Sequence, residues 1–324
     1  MATATPSTPP PKRSALTSGP GLAGWIENGF RGGVTSCALL VAALLGALAL
    51  MLAMGGWNAF RTFGPAFLVD GAWDPVAGHY GALAPLLGTV LSSVLALLIA
   101  VPLAFGTAFW LTTIAPRRLS KPIAMAVQLL AAVPSIIFGM WGFFMIVPFM
   151  ARHVQPWLDI HLAHVPLLGA LTGGAAFGLG LMTTALVLAL MVAPFVTAVM
   201  CDVFNAVPPM MVESAYGLGA TRWEVIRFII LPWCRNGLIG ALVLGMGRAL
   251  GETIAVTFVI GNVTAVGWSL FAPRSTAASL IALQFPESPA GSLGLSALLA
   301  LGFILMALSC GSLVMARLLT KEAK

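Results

Sequence analysis

Six long apolar runs, separated by short polar connections, fix the solvent of this chain before any other feature is considered. The first, residues 34–56, is about 23 residues long, enough to cross a hydrocarbon layer of about 30 Å at 1.5 Å per residue. It is too long for the core of a cleavable signal peptide, about 7–15 residues. Five more follow at about 82–114, 123–150, 174–200, 237–262 and 291–316. Pro102, Pro134 and Pro194 fall inside three of them and are expected kink points, because proline removes a helical hydrogen bond. Only 8% of the 324 residues are charged and 59% are hydrophobic, whereas a soluble domain is about 25% charged. Soluble enzymes and nucleic-acid-binding modules are excluded on that ground. The sequence reads as an all-α polytopic membrane protein with six transmembrane helices.

The net charge of +6 matters through its placement, because basic residues concentrate in cytoplasmic connections. One side of the layer receives Lys12, Arg13, Arg31, Arg117, Arg118, Lys121, Arg222, Arg227, Arg235, Arg317, Lys321 and Lys324. Only Arg61, Arg152 and Arg274 fall on the other. This bias puts both termini in the cytoplasm. Residues 1–33, rich in Pro, Thr, Ser and Gly, are expected to be a disordered or interfacial cytoplasmic tail. Residues 34–81 hold the first helix and an extracytoplasmic loop, and 317–324 form a second cytoplasmic tail. The long connection 201–235 carries most of the cytoplasmic polarity.

Several chemistries are missing. No lysine follows a glycine: Lys12, Lys121, Lys321 and Lys324 follow Pro11, Ser120, Thr320 and Ala323, so a GxxxxGK[ST] phosphate loop is excluded. The histidines, His79, His153, His161 and His164, are all expected in extracytoplasmic connections. The last three read as solvated loop residues rather than a metal site. Glu252 has no intramembrane carboxylate partner, which leaves no acid pair for catalysis or a proton relay. Cys37, Cys201, Cys234 and Cys310 lie far apart and read as small hydrophobes without disulfide or metal.

The connection after the fourth run reads VPPMMVESAYGLGATRWEVIRFIILPWCRNG. Pro208 and Pro209 suit the first turn of a helix. The spacing predicts one short helix through Glu213–Tyr216, a glycine turn at Gly217–Gly219, and a second helix over Thr221–Ile230 that stops at Pro232. Thr221 and Glu224 are placed to form a capping box. The pattern Glu213-Ser214-Ala215, three residues, Gly219, nine residues, Ile229-x-Leu231-Pro232 resembles the EAA loop of ABC importer permeases, with Ser214 where the general pattern has Ala. Together with GMGRALGETIAVTFVIGN and LLAAVPSIIFGMWG, it is similar to the PstC-type permease family of phosphate ABC importers, from about Ala66 to the carboxy terminus. Serine at position 214 is common in that subfamily.

That resemblance implies the type I ABC importer permease (MetI-like) fold over a core of 82–316, with 201–235 as the loop that couples to an ATPase. It implies a non-enzymatic transport subunit of the bacterial inner membrane, working with a PstA-type permease, two copies of a cytosolic ATPase and an extracytoplasmic phosphate-binding protein. No cofactor is expected in this chain; ATP and Mg would belong to the ATPase. Inorganic phosphate and membrane lipid are the expected small-molecule partners. A sulfate or molybdate permease is the near alternative. A secondary transporter working without ATP is a more distant one, and a membrane-embedded enzyme the weakest.

Arg248 carries an independent physical argument. Set about 11 residues into the fifth run, it would lie about 16 Å deep, where an arginine costs about 2.5–3.5 kcal/mol on insertion scales. Such a residue faces a water-filled path or a partner. Glu252 would follow one turn later on the same face of a continuous helix. The two form either a closed ion pair or a waypoint for an anion, whose oxygens the planar guanidinium grips in bidentate fashion; the resemblance favours the waypoint. Gly247 and Gly251 form a GxxxG pair that would let a second helix approach closely.

Overall fold

The structure is a computed structural model describing residues 22–162, 165, 169, 173, 177–267 and 269–321. Two compact units divide at residue 51. The described part of the first is the leading portion of helix α1, Leu22–Phe63. Its apolar side chains, among them Leu39, Leu44 and Met51, are exposed, as suits a segment solvated by lipid. Helix already covers residues 22–33, which the composition assigned to a disordered tail. No proline follows Pro20 before the apolar run, and extending an existing helix costs far less than nucleating one. The rest of the expected tail, 1–21, lies outside the described residues.

In the second unit, α1 ends at Phe63 and is followed by α2 (Ala66–Val69) and a two-stranded hairpin, β1 (Trp73–Asp74) and β2 (His79–Tyr80). The strands are antiparallel, with Trp73 opposite Tyr80 and Asp74 opposite His79. Asp70 ties the hairpin down. One carboxylate oxygen accepts the Ala72 N–H at 2.9 Å and the other lies 2.6 Å from His79 Nε2. The Ala72 amide first, and then His79, hold this carboxyl below the usual aspartate range.

The remaining elements are α3 (Leu83–Ile114), α4 (Arg117–Ala131), α5 (Ser135–His161), α6 (Leu181–Asn205), α7 (Pro209–Gly217), α8 (Arg222–Leu250), α9 (Ile254–Val259), α10 (Ala277–Gln284) and α11 (Leu293–Lys321). Six helices among the described residues are long and apolar enough to cross a membrane: α1, α3, α5, α6, α8 and α11. The expected number holds, and two of the expected boundaries do not.

The third crossing is Ser135–His161, not 123–150. Pro134 is the cause: it disfavours helix at the residue before it, so the chain breaks over residues 132–134 and α4 becomes a separate helix. His153 and His161 therefore lie on α5 and not in a connection. Their rings stack on Phe149 and Trp157, one turn earlier. His164 lies outside the described residues. No cluster of three or more His, Cys, Asp or Glu suited to a metal occurs among the described residues.

The fifth crossing begins at Arg222 and runs unbroken past Pro232 to Leu250. Residues 226–230 adopt wider turns, with hydrogen bonds reaching five residues back. That register shift lets the helix pass the residue that lacks an N–H, where a stop was expected. Pro102 and Pro194 likewise sit within α3 and α6 without ending them.

Packing is densest where small residues let helices meet. Ala96, Ala100 and Ala104 of α3, Val192, Val196 and Met200 of α6 and Ala241 and Ala249 of α8 share one core, and the buried Val225, Ile226 and Ile230 extend it beneath the loop 206–221. A second core joins Ala59, Phe67, Trp73 and Tyr80 to Leu298 and Leu301 of α11.

One glycine fastens α9 to the bundle. Gly180, with φ +136°, donates its N–H to Val259 O at 3.1 Å and starts α6. A Cβ there would lie 2.5 Å from Phe271 O. Both the backbone conformation and the contact exclude other residues. Gly180→Ala is expected to destabilise the fold by roughly 2–4 kcal/mol, read as a lower thermal midpoint of the detergent-solubilised protein. An unchanged midpoint would show that the contact relaxes without cost.

Candidate functional site

The apolar run 237–262 is not one helix. α8 ends at Leu250, residues 251–253 are irregular, and α9 starts at Ile254. Gly251 N–H still reaches Gly247 O at 3.2 Å, and Glu252 N–H reaches Ala249 O at a long 3.4 Å. The Glu252 carboxylate turns forward and accepts the Ala255 N–H at 3.2 Å, satisfying a donor that the new helix leaves open. Glu252 thus belongs to the break. It does not lie one helical turn beyond Arg248 on a continuous helix, and no ion pair joins the two among the described residues.

Arg248 lies in the last turn of α8, where orphan carbonyls favour a cation. Its guanidinium lies 5.2 Å from the centroid of the Phe195 ring. Its Nε is buried without a hydrogen-bond partner. Phe195 fixes the depth: it stands about 21 Å along the 25-residue α6, a helix of about 37 Å. The end of α8, and the break after it, are level with the middle of a neighbouring membrane helix. The sequence located the cation but missed Phe195, whose only signal was an aromatic in an apolar run.

The glycine pair behaves differently from its expected role. A Cβ on Gly247 would meet nothing within 4 Å, and one on Gly251 would meet only carbonyls of its own helix. No helix of the described chain packs there. The close approaches of α8 occur at Gly237, where a Cβ would lie 2.6 Å from Val203, and at Gly245, 2.7 Å from Val196.

The loop between α6 and α8 forms the expected knob. α7 ends through Leu218 into Gly219, whose φ is +87°. Thr221 then caps α8: Glu224 N–H donates to its Oγ1 at 3.4 Å, and Thr221 N–H donates to Glu224 Oε2 at 2.7 Å. The motif residues divide by direction. Ala215, Ile229 and Leu231 pack against the core. Glu213, Ser214, Gly219 and Pro232 are exposed. Met210, Tyr216 and Leu218 are exposed beside them, Leu218 at 90%, an apolar tip that nothing in the described chain covers.

Residues 100–323 match the family model for the binding-protein-dependent transport system inner membrane component. The chain is 49% identical over 295 residues to the phosphate transport system permease protein PstC of Haemophilus influenzae, covering 91% of this chain and 93% of that one. It is 48% identical to the protein of that name from Mesorhizobium japonicum, covering 89% and 88%. The chain belongs to the PstC family of binding-protein-dependent permeases. It is a multi-pass transport component of the bacterial inner membrane. Among solved structures, the MetNI methionine ABC transporter in an inward-facing conformation superposes with a TM-score of 0.55 at 15% identity, covering 78% of this chain and 100% of that one. A bacterial alginate ABC importer gives 0.53 at 17% identity, covering 90% and 98%. These two establish the type I ABC importer permease fold alone.

Within this PstC-type chain, the break makes a structural demand on Glu252 that can be measured. Glu252→Gln keeps an oxygen to accept the Ala255 N–H, whereas Glu252→Ala leaves that donor open. The alanine variant is expected to lose about 1 kcal/mol of stability and the glutamine variant less, compared by thermal midpoint. Equal losses would mean that the bond contributes nothing.

Proposed function

We propose that this chain is the membrane-spanning permease of an ATP-driven inorganic phosphate importer, and that phosphate passes the break between α8 and α9. The observation that carries the reading is Arg248, a half-buried cation level with mid-span, its Nε buried without a hydrogen-bond partner and no carboxylate paired with it among the described residues. Non-helical backbone at that depth is tolerated only where protein or a water-filled cavity surrounds it, and transporters place their substrate sites at such interruptions. Relatives named as phosphate transport permeases favour phosphate over sulfate or molybdate. Both termini and the knob 201–235 lie in the cytoplasm on this reading, following the bias of basic residues.

In this scheme Arg248 exchanges part of the anion's hydration for bidentate hydrogen bonds. Glu252 sets the backbone that presents Arg248, and offers an acceptor to a P–OH group. A PstA-type permease supplies the other wall, approaching over the open face at Gly247 and Gly251. The exposed Glu213, Ser214 and Gly219, with the apolar tip at Leu218, dock into a cytosolic ATPase present in two copies. That partner holds ATP and Mg, and an extracytoplasmic binding protein delivers the phosphate. Ile229 and Leu231, within α8, hold its first turns on the core beneath the knob, while Pro232 stays exposed beside them.

Uptake of radiolabelled phosphate by the reconstituted importer tests the path. Arg248→Gln is expected to lower it at least 100-fold without loss of assembly, and Arg248→Lys to retain partial activity, because it keeps the charge and loses the fork. Normal uptake by Arg248→Gln would leave Arg248 a structural charge only.

Coupling is tested at Gly219. Open space surrounds its Cβ position, so only the backbone conformation restricts substitution. Asparagine visits positive φ readily and β-branched residues do not. Gly219→Asn should transport normally, while Gly219→Val should insert normally and hydrolyse ATP without matching uptake. Normal coupling in Gly219→Val would remove this turn from the coupling surface.

A further inference from the structure

At the end of the bundle that carries the coupling loop lies a cavity of about 570 Å³ whose lining does not include Arg248. The last turns of α3, the start of α4 and the end of α6 line this open cavity through Leu111, Thr112, Ser120, Lys121, Cys201 and Asn205. No carboxylate lines it. The side chains of Ser120, Lys121 and Asn205 make no hydrogen bond or ion pair with any described residue. Between them they offer the ammonium, a hydroxyl and an amide as donors. Arg118, one turn before Lys121 on α4, is a second exposed cation.

We propose that this cavity binds a phosphate group, held by Lys121 with Ser120 and Asn205, at a site separate from the transport path. Donors that line one cavity with an unpaired cation, and no acid among the lining residues, select an anion. The volume exceeds that of a bare oxyanion, and Leu111, Ala115 and Ala124 give the far wall an apolar surface, so a phosphoester with an organic tail also fits. Inorganic phosphate and the headgroup of an anionic phospholipid share this chemistry, and basic pockets between membrane helices take such headgroups. The cavity wall is tied to the coupling region: Arg222, the first residue of α8, donates from Nη2 to Thr113 O at 2.8 Å. An occupant would therefore bear on the root of the knob.

The test uses the assembled importer in nanodiscs of phosphatidylcholine alone, or with added phosphatidylglycerol. Lys121 is exposed, so Lys121→Gln should leave the fold intact, and Lys121→Arg keeps the charge. Native mass spectrometry counts retained phosphatidylglycerol, and equilibrium dialysis against radiolabelled inorganic phosphate in the phosphatidylcholine discs counts bound anion. Loss of one lipid equivalent in Lys121→Gln, restored in Lys121→Arg, assigns the site to a headgroup. Loss of one phosphate equivalent, or binding at least tenfold weaker, assigns it to the free anion. Unchanged counts in both arms would overturn the proposal. Arg248→Gln serves as the control for the path: it should leave the Lys121-dependent count intact, so failure at either site is separately visible.

Discussion

A chain that stops being helical in the middle of a hydrocarbon layer must satisfy its backbone from within the protein, since lipid offers neither donors nor acceptors. The interval 251–253 meets that demand with a few specific bonds. Gly247 and Ala249 receive the amides of Gly251 and Glu252, and the Glu252 carboxylate accepts the amide of Ala255. Beyond it, α9 is anchored at its far end by Gly180, through Val259. Asn262, at φ +54°, turns its side-chain amide back to Thr257 O at 2.8 Å. The next bonds run between Ile260, Val263 and Arg274, where a short parallel bridge joins Gly261 to Arg274. The break thus sits in a frame of backbone hydrogen bonds that leaves Arg248 without any structural bond to make.

The same bookkeeping explains Arg274. The residue is 3% exposed, and Nη1 and Nη2 donate to Ala265 O at 3.2 Å and Ser269 O at 3.5 Å. Burial lowers its pKa from the ordinary arginine value. Here the cation closes a loop by taking carbonyls. Arg248, half-buried, takes none that the structure shows, and neither arginine has an acid paired with it among the described residues. Nε is buried without a partner in both side chains; Arg248 is singled out because its two terminal nitrogens are uncommitted, whereas those of Arg274 are bonded to carbonyls.

How much of this was legible in the sequence depended on whether a local rule or a tertiary contact decided the outcome. The capping box at Thr221 and Glu224 and the glycine turn at Gly219 follow from short-range chemistry, and both stand where the spacing put them. The six crossings follow from hydropathy. The boundary at Pro134 was readable in principle, because a proline at the start of a helix and one in its middle look alike only until the neighbouring residues 132–133 are weighed. The unbroken passage through Pro232 was not, since a widened turn is stabilised by packing of Ile226 and Ile230 into the core, which no local rule reports. The break after Leu250 was hidden by ALGETIAV, a run whose apolar residues continue across it. Gly247 and Gly251 drew attention as a packing pair, while the close contacts fell at Gly237 and Gly245, which lacked that spacing.

The energetics of Arg248 explain why it needs no ion pair. Placing an arginine at mid-membrane costs about 2.5–3.5 kcal/mol on insertion scales. A desolvated guanidinium near an aromatic face recovers about 0.5–2 kcal/mol, and Phe195 provides that face. The carboxy-terminal end of α8 contributes roughly 0.3–2 kcal/mol more. These two contributions act on the charge as a whole and leave the five N–H donors of the side chain uncommitted. A carboxylate partner would stabilise the cation by occupying those donors, and a passing anion would then have to displace it. Stabilisation by a ring and a helix terminus instead leaves the donors of this half-buried arginine open.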